Sequence, residues 1–231
     1  MARRKYPLPE YLLIWGRHED LYRRVFSLAL RSLHEATSVS GNEDHISEQL
    51  CPLLARVCFR LGQNGIDVHP PQWEKPQQPQ TESEVGEKHI AKRPDFACSF
   101  LNPLAKSPEE YSVPFHVECK LLGDPTSRTW VLNRNYVTRG IARFDLQSHK
   151  YGNRAPSGMM VGYMISMTPE EVQAQVNACI GEELPGIPQL AFTFSDVPWQ
   201  SQHRFARRHV MPTPFTLIHL WVDLRKNYDR N

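Results

Sequence analysis

An α/β fold, with a central mixed β-sheet flanked by helices, is what this 231-residue chain predicts. Three observations carry that expectation. Two stretches near the N-terminus place apolar residues at helical spacing, and short apolar runs of strand character recur at residues 66–69, 93–100, 115–122 and 157–166. One helical pattern separates the last two runs. The order helix, strand, strand, strand, helix, strand therefore suits a sheet covered by helices.

The length allows one large domain, or a domain with a small appendage, and a substantial core. No stretch approaches a membrane span, and the N-terminus lacks an apolar core followed by a cleavage site. Five cysteines (51, 58, 98, 119 and 179) are odd in number, sit in apolar runs and form no Cys-x-x-Cys pair. They argue for a reducing, cytoplasmic compartment and against a zinc site. The net charge of +2 singles out no partner, but residues 125–154 set Arg128, Arg134, Arg139, Arg143, Lys150 and Arg154 against one acid, Asp145. A polyanion would be drawn there, and a solvated basic face accounts for the same residues equally well.

In chain order, residues 1–10 are basic and proline-containing and read as a loose arm. Leu12, Leu13, Trp15, Leu21, Val25, Leu28, Leu30 and Leu33 fit one or two amphipathic helices over 11–34. After a break at 38–42, Ile46, Leu50, Leu53, Leu54, Val57 and Leu61 predict a helix from Glu43 to about Leu61, with Asn42 as its N-cap. Residues 66–69 suggest a short strand, and 70–87 an exposed excursion rich in Pro and Gln. A strand over 93–100 and one over 115–122 then form a hairpin, and 123–134 is an irregular basic stretch at the mouth of any site there.

A helix is predicted over 136–150. Val137, Ile141 and Phe144 make its apolar stripe, and Arg139, Arg143, Gln147 and Lys150 a polar one. Residues 157–166 read as a fully buried strand. Thr168 caps a helix to about Ile180, with Pro169 at its first position and Glu170 and Glu171 in its first turn. Residues 189–194 and 214–224 are further strand candidates. Between them, 199–209 interleaves Arg204, Arg207 and Arg208 with Trp199 and Phe205, a mixture that suits nucleic acid but reads first as a solvated loop.

The chemistry concentrates at Glu118-Cys119-Lys120. Alternation along a strand puts Glu118 and Lys120 on one face, where two charges on an apolar strand persist only if a partner needs them. Asp95 opens the neighbouring strand and can meet Glu118 across the hairpin. Glu43 projects from the core-facing side of its helix; as a first-turn acid it also suits the helix dipole. Glu48 falls off that face. No phosphate-binding glycine loop, dinucleotide fingerprint, nucleophile elbow or His-Glu-x-x-His occurs, and the ten histidines show no ligand spacing.

Pro94-Asp95, followed after 22 intervening residues by Glu118-Cys119-Lys120, resembles the signature of the PD-(D/E)xK nuclease superfamily, the restriction-endonuclease-like fold. The resemblance covers roughly residues 43–165. It leaves 1–42 as an N-terminal arm and helix, and 166–231 as a C-terminal extension packed on the same domain. It implies an endonuclease that hydrolyses phosphodiester bonds of nucleic acid, DNA before RNA. The metal is Mg²⁺, with Mn²⁺ an alternative, held by Asp95, Glu118 and the carbonyl of Cys119. Lys120 would orient the attacking water, and Glu43 would complete the catalytic set. It further implies Arg139, Arg143, Gln147 and Lys150 as contacts to nucleic acid. The implied assembly is a homodimer or a subunit of a phage-defence or mobile-element complex, with no membrane. A catalytically silent nucleic-acid-binding or protein-interaction subunit of the same fold is the alternative.

Overall fold

The computed structural model describes residues 9–229 and forms a six-stranded mixed sheet with helices on both faces. Helix α1 (Pro9–His34) is a single element, and α2 (Glu43–Gln63) begins at Asn42, whose side chain accepts from the His45 backbone N–H. Strands β2 (Gln72–Trp73), β3 (Phe96–Leu101), β4 (Ser112–Leu122), β5 (Ser157–Met164), β6 (Trp199–Phe205) and β7 (Phe215–Asp223) build the sheet. Strand β1 (Val39–Ser40) pairs separately with β8 (Tyr228–Asp229). The remaining helices are α3 (Pro108–Tyr111), α4 (Leu132–Thr138) and α5 (Pro169–Glu183).

The strand order is β2-β3-β4-β5-β7-β6; β4, β5 and β7 run parallel, and the outer pairings are antiparallel. The central strands are apolar toward both faces, as strands covered on both sides must be. Phe115, Val117 and Cys119 of β4, Met159, Val161 and Tyr163 of β5, and Ile218, Leu220 and Val222 of β7 pack against α1 and α2. The alternate residues Leu122, Met160, Met164, Leu217 and Trp221 pack against α4 and α5. Gly162 is required in this second layer, because a Cβ there would meet the Trp221 ring at 2.6 Å.

The hairpin expected between the Asp95 and Glu118 strands is present, with Phe96 opposite Val117. One further step of that register sets Asp95 across from Glu118. Thr168 is the expected N-cap, and its side chain and that of Glu171 complete a full capping box.

Five local expectations are corrected. Of the arm expected over 1–10, residues 1–8 lie outside the described residues, and Pro9 and Glu10 form the first turn of α1. Residues 66–69 are not a strand. Pro70 and Pro71 follow and lack the N–H groups a ladder needs, so pairing starts only at Gln72. The helix expected over 136–150 stops at Thr138, and a 3₁₀ turn follows over Ile141–Phe144. Gly140 makes the break, lying so close to the Tyr136 carbonyl and the Met160 methyl that a Cβ would meet each at 2.4 Å.

Residues 189–194 run beside the sheet without joining it, because side chains take up their backbone groups. Asn177 bonds both the N–H and the carbonyl of Leu190, Ser201 Oγ accepts from Ala191, and Gln173 accepts from Phe192. The solvated loop expected over 199–209 is instead strand β6 followed by a buried brace. The Arg207 guanidinium donates to the carbonyls of Phe144, Tyr151, Gly152, Ala155 and Pro212 and stacks on Phe215. It fixes the irregular segment that follows α4.

Among the described residues, no helix is long and apolar enough to cross a membrane.

Candidate functional site

The pleat of β4 aims Glu118 and Lys120 to the same side of the sheet, where their side chains meet at 2.6 Å. Asp95, just ahead of β3, lies 3.7 Å from the Lys120 ammonium, and its carboxylate accepts the Cys119 N–H. Glu43 reaches in from the first turn of α2: Oε1 sits 2.7 Å from Lys120 Nζ, and Oε2 accepts the Leu121 N–H at 3.2 Å. Lys120 also donates to the Cys119 carbonyl. Arg143, on the 3₁₀ turn after α4, donates to Glu118 Oε1. The structure thus brings Glu43, Asp95, Glu118, Lys120 and Arg143 to one place.

The electrostatics follow from burial. Glu118 is fully buried, and desolvation together with Asp95 pushes its carboxyl up to about 8 against the pull of Lys120 and Arg143. Burial likewise raises Asp95 and Glu43. Burial opposes the charge on Lys120, but Glu118, Asp95 and Glu43 outweigh it and push the ammonium up, so Lys120 stays protonated. One oxygen is left over: Glu118 Oε2 is buried without a hydrogen-bond partner. Such an atom in a native fold calls for an explanation.

The cluster opens into a cleft of about 240 Å³ lined by residues that include Asp44, Glu74, Arg93, Trp130, Asn135 and Arg139. Arg139 stacks over the half-exposed Trp130 ring at 4.4 Å. Gln147 and Lys150, expected beside Arg139 and Arg143, do not line it. The break at Gly140 destroys the helical stripe on which that expectation rested. Gln147 is exposed, and Lys150 is turned to Glu87 of the excursion, which Arg154 pins a second time through buried Glu84.

Sequence reasoning overlooked Glu74, Arg93, Trp130 and Asn135 as parts of the cleft. Arg93 had a signal, standing two residues before Asp95, and Trp130 lies in the stretch expected at the mouth. Glu74 had none, since its place depends on the two-residue strand β2.

The donor set fits a hard divalent cation. It is all oxygen, three carboxylates converge on one nitrogen, and the unspent Glu118 oxygen is the kind of atom such an ion would satisfy. The ammonium, however, stands at the centre. Among the described residues no group of three or more His, Cys, Asp or Glu is placed so that it could hold a metal ion as it stands.

No family model, no curated protein and no solved structure matches this chain.

Proposed function

We propose that the chain is a Mg²⁺-dependent nuclease hydrolysing phosphodiester bonds, with DNA as the first substrate to test. The observation that carries the reading is the convergence of Glu43, Asp95 and Lys120, which line an open cleft rimmed by Arg93, Arg139 and Arg143, on Glu118 buried just behind it. An ordinary structural ion pair does not need three carboxylates.

Asp95, Glu118 and the Cys119 carbonyl would hold the ion. Bound there, Mg²⁺ supplies polarisation of a phosphoryl oxygen and a lower pKa for its water. Lys120, kept charged by its three acids, acts as a hydrogen-bond donor that orients the attacking water and does not take its proton. Glu43, whose carboxyl burial pushes upward, is the group placed to accept that proton. Arg139 and Arg143 hold the substrate phosphates against the cleft.

The binding-only alternative draws on one observation, the ammonium seated among the carboxylates. A plasmid-nicking assay in Mg²⁺ separates the two readings. The proposal expects nicking by the native chain, loss of at least about a hundredfold in Asp95→Asn, and no nicking in EDTA. A native chain that retards DNA but never nicks it would favour the binder.

A further inference from the structure

Glu118 Oε1 carries two cations at once, and they are not equivalent. Lys120 is 7% exposed, sits on the central strand β4, and is also held by Glu43 at 2.7 Å and by the Cys119 carbonyl. Arg143 is 27% exposed, rides on a short 3₁₀ turn and faces the cleft; Glu118 is its one ion-pair partner among the described residues. Of the two, Arg143 is the one that can leave. Arg207 holds the Phe144 carbonyl just behind it, so the backbone stays in place while the side chain moves.

Charge counting gives the exchange a direction. With all groups ionised, Glu43, Asp95 and Glu118 against Lys120 and Arg143 leave one negative charge. A divalent cation entering beside the unmet Oε2 of Glu118 would leave one positive charge in a buried place. Release of Arg143 restores neutrality. The guanidinium then becomes surplus at the lip of the cleft, where a phosphate would lie.

We propose that Arg143 is an exchangeable counter-ion: it occupies Glu118 in the metal-free chain and transfers to a substrate phosphate when a divalent cation takes its place. This rests on the nuclease reading of the site. Its consequence is that metal and nucleic acid help each other bind, because each favours the same position of one side chain. It also makes Arg143 a competitor of the metal, whereas a residue that only gripped phosphate would leave the affinity for metal alone unchanged.

The test uses Mn²⁺ alone, with free ion followed by electron paramagnetic resonance, and then a fluorescein-labelled DNA duplex in Ca²⁺. Arg143→Gln should bind Mn²⁺ about tenfold more tightly than the native chain and bind the duplex about tenfold more weakly. The duplex should tighten Mn²⁺ binding to the native chain but not to the variant. Arg143→Lys, which keeps the charge, should behave as native for Mn²⁺ and guards against misfolding of the first variant. If the native chain binds Mn²⁺ through Asp95 and Glu118 while Arg143→Gln binds it equally or more weakly, the exchange is wrong and the site reading stands. If the native chain binds no Mn²⁺, both fall together.

Discussion

Two buried polar networks lie in one row of the sheet, and they differ in charge, in completeness and in access to solvent. Glu118 is in register with Met160, and Met160 with His219. On one side of Met160 stands the acid cluster. On the other, the Trp221 indole donates to Tyr136 Oη at 3.0 Å, and the Tyr136 hydroxyl lies 2.7 Å from His219 Nδ1, to which it donates when His219 carries its proton on Nε2. His219 Nε2–H then faces His203 Nε2 at 3.4 Å, and His203 Nδ1–H donates to the Pro188 carbonyl at 3.0 Å. With both histidines neutral, this tautomer gives each group in the relay a partner, and the histidines are buried. The acid cluster is charged, leaves an oxygen unmet and opens to a cleft. The comparison teaches that burial of polar groups does not by itself mark function: a satisfied neutral chain specifies packing, while an unfinished charged one asks for a ligand.

Breaking the charged network should cost most. Lys120→Ala leaves three carboxylates facing each other and should destabilise the chain by about 3–5 kcal/mol in urea unfolding, with partial recovery when Glu118→Gln is added. It is therefore a poor probe of chemistry, and Asp95→Asn is the cleaner one. The neutral network should respond to acid next. Burial pushes His203 down to about 4 and His219 well below its ordinary value, so both stay neutral in the fold. Because the unfolded histidines take up protons near pH 6.5 and the folded ones do not, stability should be full above that value and fall as pH drops toward 4. His203→Gln should flatten that slope in thermal unfolding measured across pH. His219→Phe removes the acceptor for the Tyr136 hydroxyl and should cost about 1–3 kcal/mol without touching Mn²⁺ binding. The smallest effect sharpens the contrast: Thr168→Ala removes the α5 capping box, a member of neither network, and should cost about 1 kcal/mol with nicking unchanged.

Much of this was legible because it is local. The alternation along β4, the continuous apolar run of β5, the caps Asn42 and Thr168, and the position of Glu43 on its helix follow from local sequence alone. What was not legible depended on distant partners. Gly140 breaks a good helical pattern because of Met160, twenty residues on, and that break sends Lys150 to Glu87 and leaves Arg143 alone at the acids. Residues 189–194 have the composition of a strand, but Asn177 and Gln173 of α5 satisfy their backbone. Arg207 reads as a surface cation and is buried, because five carbonyls brought together by the fold receive it.

The central claim is that the carboxylates of Asp95 and Glu118 form a divalent-cation site although an ammonium now stands among them. Isothermal titration of Mg²⁺ into the native chain and into the Asp95→Asn, Glu118→Gln double variant tests it most directly. The account predicts one ion per native chain and none in the variant; equal binding to both, at any stoichiometry, would contradict it.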